Sequence, residues 1–513
     1  MIEGWKTISI SRRAEWAAAV ILTALIVYLH FTFLRYAGPF WRDEINSINL
    51  ASLPSLKSVL GTLHLDSFPV LYTLVLRLWS LTGGGGSVTG LRFLGFLTGL
   101  AITAVIWLDA WFFGRRVPLL SLALFGLSSL LIRVGDSIRP YGLGIVLILL
   151  AFGLIWRVVE SPAPRRVLAA LVVSVLSVHC LYTNAFLIFS ILLGGAVVTL
   201  RRRLWKRTLL LMAMGGLSAL SLVPYIGVIQ EAREWIPMPK SPITYELLWN
   251  VLLKDTLGFI NGYITLIWGV LFLFGIIIAI RKSFFRRSVS GIEAERALFC
   301  ATVMTVTIII FFIFNKTMQV TPFPRYFLLP MAVVALSLNE LLGEKKKIWA
   351  LGRIGLSILI VVVTFNGLIT EVRLRQTGLD IVAAKMESAA SKDDMIFVAP
   401  WFYGITFNRY YRGEAPWMTI PSIKDLTIHR EDLLKKKMEE SEPFNDVFEE
   451  MSRTLKRGGA IWLVIDRGLP LSLFDLRLLD GSSFVERLDM VPSMPIKFYE
   501  RTRVLEVRRR SKE

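Results

Sequence analysis

Residues 16–44, WAAAVILTALIVYLHFTFLRYAGPFWRDE, decide the reading of this chain. Residues 16–36 are apolar almost throughout, and about 20 such residues suffice for a helix to cross a hydrocarbon core. Pro39, Phe40 and Trp41 follow, a segment of the kind that anchors a chain at the membrane surface. Arg42, Asp43 and Glu44 come next, so two adjacent carboxylates stand at the water boundary. A spanning helix that ends on aromatics and then carboxylates predicts a membrane bundle with chemistry at its edge.

Runs of similar length recur at 91–113, 117–134, 139–157, 167–181, 182–200, 208–229, 262–281, 297–315, 325–343 and 349–370. With 16–36 they predict eleven crossings. The chain of 513 residues is 54% hydrophobic, with a mean hydropathy of +0.58, too apolar for one soluble core. Met1 to Arg13 is basic but has no cleavage-like end, and the run after it is too long for a signal-peptide core, so it reads as the first span. Cys180 and Cys300 each fall in or at the end of an apolar stretch and imply neither a disulfide framework nor a thiolate metal cluster.

A net charge of +19 raises nucleic acid as a partner, but the Lys and Arg residues lie mostly between the spans. With a cytoplasmic N-terminus, Arg115/Arg116, Arg157/Arg165/Arg166, Arg201 to Arg203 with Lys206/Arg207, Arg281/Lys282/Arg286/Arg287 and Lys345 to Lys347 all face the cytoplasm. This is the positive-inside pattern of a multi-pass plasma-membrane protein, and it tests the span count, because one missed helix would invert every later loop. No nucleic-acid partner is expected. The apolar run 167–200 divides at a turn marked by His179, Tyr182 and Asn184, since one long span would break the charge pattern.

The expected architecture is therefore an α-helical polytopic membrane domain over 1–370 and an extracytoplasmic α/β domain over 371–513. In the latter, Leu433 to Leu455 reads as an amphipathic helix, and Met395 to Val398 and Ala460 to Ile465 read as strands. The long first external loop, 38–90, holds an apolar segment, Val70 to Leu81, interrupted by Arg77, which is expected to lie along the interface or on the bundle. Gly83 to Gly86 reads as a flexible connection.

Ionisable residues gather at the outer span ends: Arg42, Asp43, Glu44, His64, Asp66, Asp136, Arg139, His179, Arg233, Glu234, Lys316 and Arg325. The inner halves of the spans read as clear of charge. Asp43 and Glu44 suit a base that takes a proton from an attacking hydroxyl; the plainer alternative is an exposed acidic pair at a helix end. Arg139, Lys316 and Arg325 suit a phosphate, against the alternative of snorkelling at span ends. His64, His179 and the outer carboxylates admit a divalent metal, although their spacing matches no ligand signature.

The order of these motifs resembles the GT-C glycosyltransferases, especially the prokaryotic relatives of protein O-mannosyltransferases and lipid A aminoarabinose transferases. Trp41-Arg42-Asp43-Glu44 is similar to the family's acidic motif in the first external loop, and Leu65 to Tyr72 with Leu78-Trp79 to its Asp-x-His-Pro-Pro-Leu-Tyr segment. Asp136 to Tyr141 is similar to its acidic-x-x-Arg-x-Tyr element, His179 to Asn184 to its His-Tyr turn, and Pro324-Arg325-Tyr326 to its late Pro-Arg-Tyr. Phe68 stands where the pattern often has His, and Val70 replaces its second Pro. That departure weakens a metal role for this loop.

The resemblance implies Asp43 as the catalytic base or its closest partner, Glu44 assisting, Asp136 as a second acidic group, and Arg139 and Arg325 as candidates for the donor phosphate. His64, Asp66, Tyr141, His179, Tyr182 and Tyr326 are expected to meet substrate. The expected function is transfer of a sugar from a polyprenyl-phosphate donor to a lipid, glycan or protein acceptor, with inversion. A transporter or flippase of a lipid-linked saccharide is the rival from another class, and a structural subunit a third. Polar residues clustered on one side favour the enzyme.

Overall fold

The computed structural model describes residues 10–66, 68–114, 117–235, 242–285, 291–319, 321–343, 347–469, 482–491 and 498–509. Ser67 and the basic positions Arg115, Arg116, Arg286, Arg287, Lys345 and Lys346 lie outside them. Among the described residues nine helices are long and apolar enough to cross a membrane. The protein is a multi-pass helical membrane protein with a C-terminal sheet domain.

The first elements are α1 (Ile10–Tyr36), α2 (Arg42–Ala51), α3 (Leu56–Gly61), α4 (Leu71–Leu81) and α5 (Val88–Phe112). The stretch expected to cross at 117–134 is broken. There, α6 (Leu119–Ser121) passes into a π-helical turn at Leu122–Gly126, and α7 (Ser129–Gly135) starts afresh. Ser128 caps α7 by accepting from the Leu131 amide at 3.3 Å. The π turn presses on α1 so closely that a Cβ at Gly126 would meet Ile26 Cδ1 at 2.5 Å. Next comes α8 (Pro140–Glu160), its Pro140 in the first turn, where the missing N–H costs nothing. The run 167–200 does divide, into Pro164–Cys180 and Asn184–Arg201.

In the first loop, α4 buries Tyr72, Thr73 and Leu76. Arg77, which interrupts the apolar pattern, caps α2: its Nη1 donates to the carbonyls of Ala51 at 3.0 Å and Leu53 at 2.6 Å. Carbonyls at a helix end lack intrahelical donors, so this bond fixes where α2 ends.

Charge is not absent from the far end of the bundle, contrary to expectation. Glu15 meets Arg353 at 2.5 Å with both side chains buried, and Asp109 and Glu340 are buried near the ends of their helices. Ionisable groups at such depth persist by pairing or by facing the bundle interior.

The C-terminal domain carries β1 (Met395–Ala399), β2 (Trp417–Thr419), β3 (Ile461–Asp466), β4 (Ser482–Glu486) and β5 (Thr502–Arg509) in the order β2-β1-β3-β5-β4. β1 runs parallel to β2 and β3, whereas β5 is antiparallel to both β3 and β4. The continuous burial of β1 and β3 fits strands covered on both faces. The helix expected over Leu433 to Leu455 is two helices, Glu431–Met438 and Asn445–Lys456. Pro443 lies between them, and proline has no amide to continue a helix and clashes with the preceding turn.

Candidate active site

The first turn of α2 is the centre of the site, and a buried ion pair holds it. Glu44 accepts from Arg92 Nη1 at 2.5 Å and Nη2 at 2.9 Å, from the Ile138 amide at 2.9 Å and from the Trp41 amide at 3.3 Å. Arg92 also donates to the carbonyls of Gly38 at 3.0 Å and Pro39 at 2.8 Å. One carboxylate thus ties α2, α5 and the turn before α8 together. Glu44 is 0% exposed and is absent from the lining of the cavity described below.

Asp136, in the turn between α7 and α8, pairs with His30 of α1 at 2.8 Å. Three residues on, Arg139 reaches back to α2, its Nη1 donating to the Asp43 carbonyl at 2.9 Å and to Ser47 Oγ at 3.0 Å. Its guanidinium also lies 4.6 Å above the Phe68 ring.

Between the bundle and the sheet domain lies a cavity of about 630 Å³. Trp41, Asp43, Arg133, Arg139, Tyr141 and Arg325 line it from the bundle, and Asp466, Arg467, Tyr499 and Arg501 from the sheet domain. Arg325 Nε donates to Tyr141 Oη at 3.2 Å. The buried Nε of Arg139 has no hydrogen-bond partner among the described residues. Burial acts to raise the Asp43 carboxyl, but its cationic neighbours, Arg139 first and then Arg42 and Arg325, outweigh it and hold the group below its ordinary value. An ionised carboxylate therefore shares a polar chamber with five arginines, Arg139 and Arg325 of the bundle among them.

The sheet domain closes this chamber through contacts made directly to the α2 segment. Asn46 Oδ1 accepts from the His429 amide at 2.7 Å, and Asn49 Nδ2 donates to the Thr427 carbonyl at 2.7 Å. The Phe40 amide donates to Tyr410 Oη at 3.0 Å, and the Gln376 amide to the Ala37 carbonyl at 2.9 Å. Arg42 lies 3.9 Å over Phe402 and 3.8 Å from Glu500. Arg133, beside the cavity, bonds Glu371 at 2.7 Å under the Tyr499 ring. Burial drives the imidazole of His429 down to about 4, against the pull of Asp43, and drives the Glu500 carboxyl up to about 8.

Of the residues singled out from the sequence, Asp43, Arg139, Tyr141 and Arg325 meet in the cavity, and the Tyr326 ring lies tilted beside Tyr141 at 6.5 Å. Glu44 and Asp136 stand behind it as braces. Lys316 is elsewhere, its Nζ donating to the Ile243 carbonyl at 2.8 Å. His64, His179 and Tyr182 form a separate group with Asp66 beside Tyr182: His64 faces Glu231 at 3.5 Å, His179 bonds Tyr225 Oη at 3.2 Å, and Tyr182 packs edge-on to Tyr225. No group of three or more His, Cys, Asp or Glu placed to hold a metal ion occurs among the described residues. The histidines proposed for one are engaged with Glu231 and Tyr225.

Sequence reasoning missed His30, Arg92, His429 and the sheet-domain residues. His30 carried a readable signal, an ionisable side chain inside an apolar span; His429 and Tyr499 carried none.

Several solved structures resemble the chain. ArnT from Cupriavidus metallidurans in the apo state is 13% identical, with 95% of this chain and 97% of that chain covered and a TM-score of 0.43. The same protein bound to undecaprenyl phosphate gives 13%, the same coverage and a TM-score of 0.37. The arabinosyltransferase EmbB from Mycobacterium smegmatis is 15% identical, covering 66% of this chain and 31% of that chain, with a TM-score of 0.38. No protein-family model and no curated protein matches the chain. At such low similarity, function must be read from the chain's own residues.

Proposed function

We propose that the protein is a GT-C-type glycosyltransferase that moves a sugar from a polyprenyl-phosphate donor to an acceptor on the extracytoplasmic face of the plasma membrane. The observation that carries this reading is an ionised Asp43 sharing one cavity with Arg139 and Arg325. In this reading the acceptor's O–H or N–H faces Asp43 Oδ, which takes the proton as the acceptor attacks the anomeric carbon from the side opposite the phosphate. The C–O bond to the phosphate breaks, its electrons stay on the phosphate oxygen, and the anomeric centre inverts. Arg139 and Arg325 offer N–H groups to the charge that grows there, and preorganised donors of this kind are worth several kcal/mol in a site screened from water.

The lipid carrier accounts for the cavity's place at the membrane edge, since a membrane-held phosphate reaches it laterally while its chain stays in hydrocarbon. The N-terminus is cytoplasmic and the sheet domain extracytoplasmic in this reading, as the Lys and Arg clusters favour. Sheet-domain residues at the cavity would then meet the acceptor.

The test is transfer of labelled sugar from a panel of polyprenyl-phosphate sugars to membrane extract, comparing wild type with Asp43→Asn at matched expression. Carrier-dependent labelling that falls by about 10³-fold or more in Asp43→Asn is expected for loss of the base. Folded protein that labels nothing with any donor, yet moves a fluorescent lipid-linked sugar across vesicles, would establish the flippase instead.

A further inference from the structure

The turn Asp136–Arg139 delivers Arg139 to the cavity, and it hangs from two supports. From α2, Glu44 accepts the Ile138 amide at 2.9 Å. From α1, His30 Nδ1 lies 2.9 and 2.8 Å from the two Asp136 oxygens, with the side chains 0% and 2% exposed. The turn itself is tight: the Arg139 amide donates to the Ser137 carbonyl at 2.7 Å, and Ser137 Oγ donates to the Val134 carbonyl at 2.7 Å.

Helix α5 is stripped to backbone where this pair sits. A Cβ at Gly99 would meet Asp136 Oδ1 at 2.2 Å and His30 Nδ1 at 2.4 Å. One turn earlier, a Cβ at Gly95 would meet the Asp136 carbonyl at 1.9 Å. Two glycines four residues apart on one helix face therefore admit the pair and the turn together. A buried histidine in a membrane span is costly, and among the described residues the hydrogen bonds of the His30 ring go to Asp136. Its Nε2 has no partner among the described residues, so the ring is anchored through Nδ1, the atom that faces Asp136.

We infer that His30 and Asp136 form a buried positioning pair that fixes the Ser137–Arg139 turn and so aims the Arg139 guanidinium at the donor phosphate. The inference rests on the reading of the cavity as a glycosyl-transfer site. Neither residue touches substrate; both act through Arg139. The charged neighbours of Asp136 are His30 from α1 and Arg92 from α5, the latter paired with Glu44 of α2. Burial lifts the Asp136 carboxyl to about 6 against the pull of His30 and Arg92. Protonation of Asp136 removes its negative charge and turns one of the two oxygens facing His30 into a donor, which weakens the contact, so the turn loosens as pH falls through that value.

The experiment compares full-length wild type with His30→Gln, Asp136→Asn and the double variant over about pH 5 to 8. The readouts are turnover with the donor that labels in the panel above and, independently, binding of undecaprenyl phosphate followed by tryptophan fluorescence. His30→Gln is expected to lower kcat by about 10²-fold, the scale of a displaced positioning group, to weaken phosphate binding, and to move the acid limb of both profiles to higher pH. Asp136→Asn, nearly isosteric, should abolish that limb, and the double variant should be no worse than the worse single.

Gly99→Ala leaves both residues in place but pushes a methyl against them, and should give the His30→Gln phenotype more weakly. Variants that lose folded protein while keeping the wild-type pH profile and phosphate binding would overturn the inference and leave a packing pair. Turnover by Asp43→Asn, in contrast, would overturn the underlying assignment of the base. The His30 result bears on the positioning pair alone whenever Asp43→Asn is dead.

Discussion

Replacing Arg92 by leucine tests whether Glu44 is a brace for the site. The Glu44 carboxylate is 0% exposed, and among the described residues its compensating charge is Arg92, through two guanidinium bonds at 2.5 and 2.9 Å. Two backbone amides, Ile138 and Trp41, remain after the substitution. Removing one partner of a buried ion pair costs about 3 to 5 kcal/mol, chiefly because the other charge is left stranded. Arg92→Leu should therefore destabilise the detergent-solubilised protein by that amount in denaturant unfolding. Glu44→Gln keeps an oxygen for the Ile138 amide and strands Arg92, which retains the Gly38 and Pro39 carbonyls, so a smaller loss of about 1 to 3 kcal/mol is expected. The decisive variant is the double one. With both charges gone, Arg92→Leu/Glu44→Gln should recover at least half of the Arg92→Leu loss. A double variant as unstable as the sum of the singles would refute the reasoning, because it would mean that no stranded charge drives the effect.

Two further predictions concern the contact of the sheet domain with α2. Asn46→Ala and Asn49→Ala each remove one hydrogen bond to the Thr427–His429 segment, worth about 1 kcal/mol. Hydrogen exchange should quicken in that segment while β3 is unchanged, and equal rates in both variants and wild type would contradict the docking. Glu500, with its carboxyl lifted to about 8 by burial, binds its proton more tightly folded than unfolded. Its contribution to stability is complete below the unfolded value of about 4.3 and is lost as pH rises through about 8. Glu500→Gln should flatten that part of the stability profile, and an unchanged slope between those limits would count against it.

The membrane architecture was legible because hydrocarbon forces the backbone to satisfy itself within each segment, so spans appear as long apolar runs whatever their neighbours do. The irregular span at 117–134 shows the boundary of that rule. At 117–134 the run is apolar enough, yet Pro118, Gly126 and the Ser128 cap break it into short pieces. In the sheet domain, strands β1 and β3 were readable as short buried runs, whereas a single proline divided the charged helix that periodicity joined.

The adjacent carboxylates show what the sequence by itself determined and what it did not. The sequence placed Asp43 and Glu44 at a span end beside aromatics and set Arg139 and Arg325 at other span ends, and the physics of the membrane interface made those positions conspicuous. It treated the two carboxylates as one acidic pair. Consecutive residues of a helix point about 100° apart, so once α2 formed, Asp43 lined the cavity and Glu44 turned into the bundle toward Arg92. Only tertiary packing decided which side each would take. It also decided that Asp136 would meet His30, 106 residues away, and that the His429 amide, 383 residues from Asn46, would dock on its side chain beside Asp43. Those partners come from chain segments whose separation no local pattern encodes, and the energy that selects them, desolvation of a charge against its pairing, exists only after the helices have closed around it.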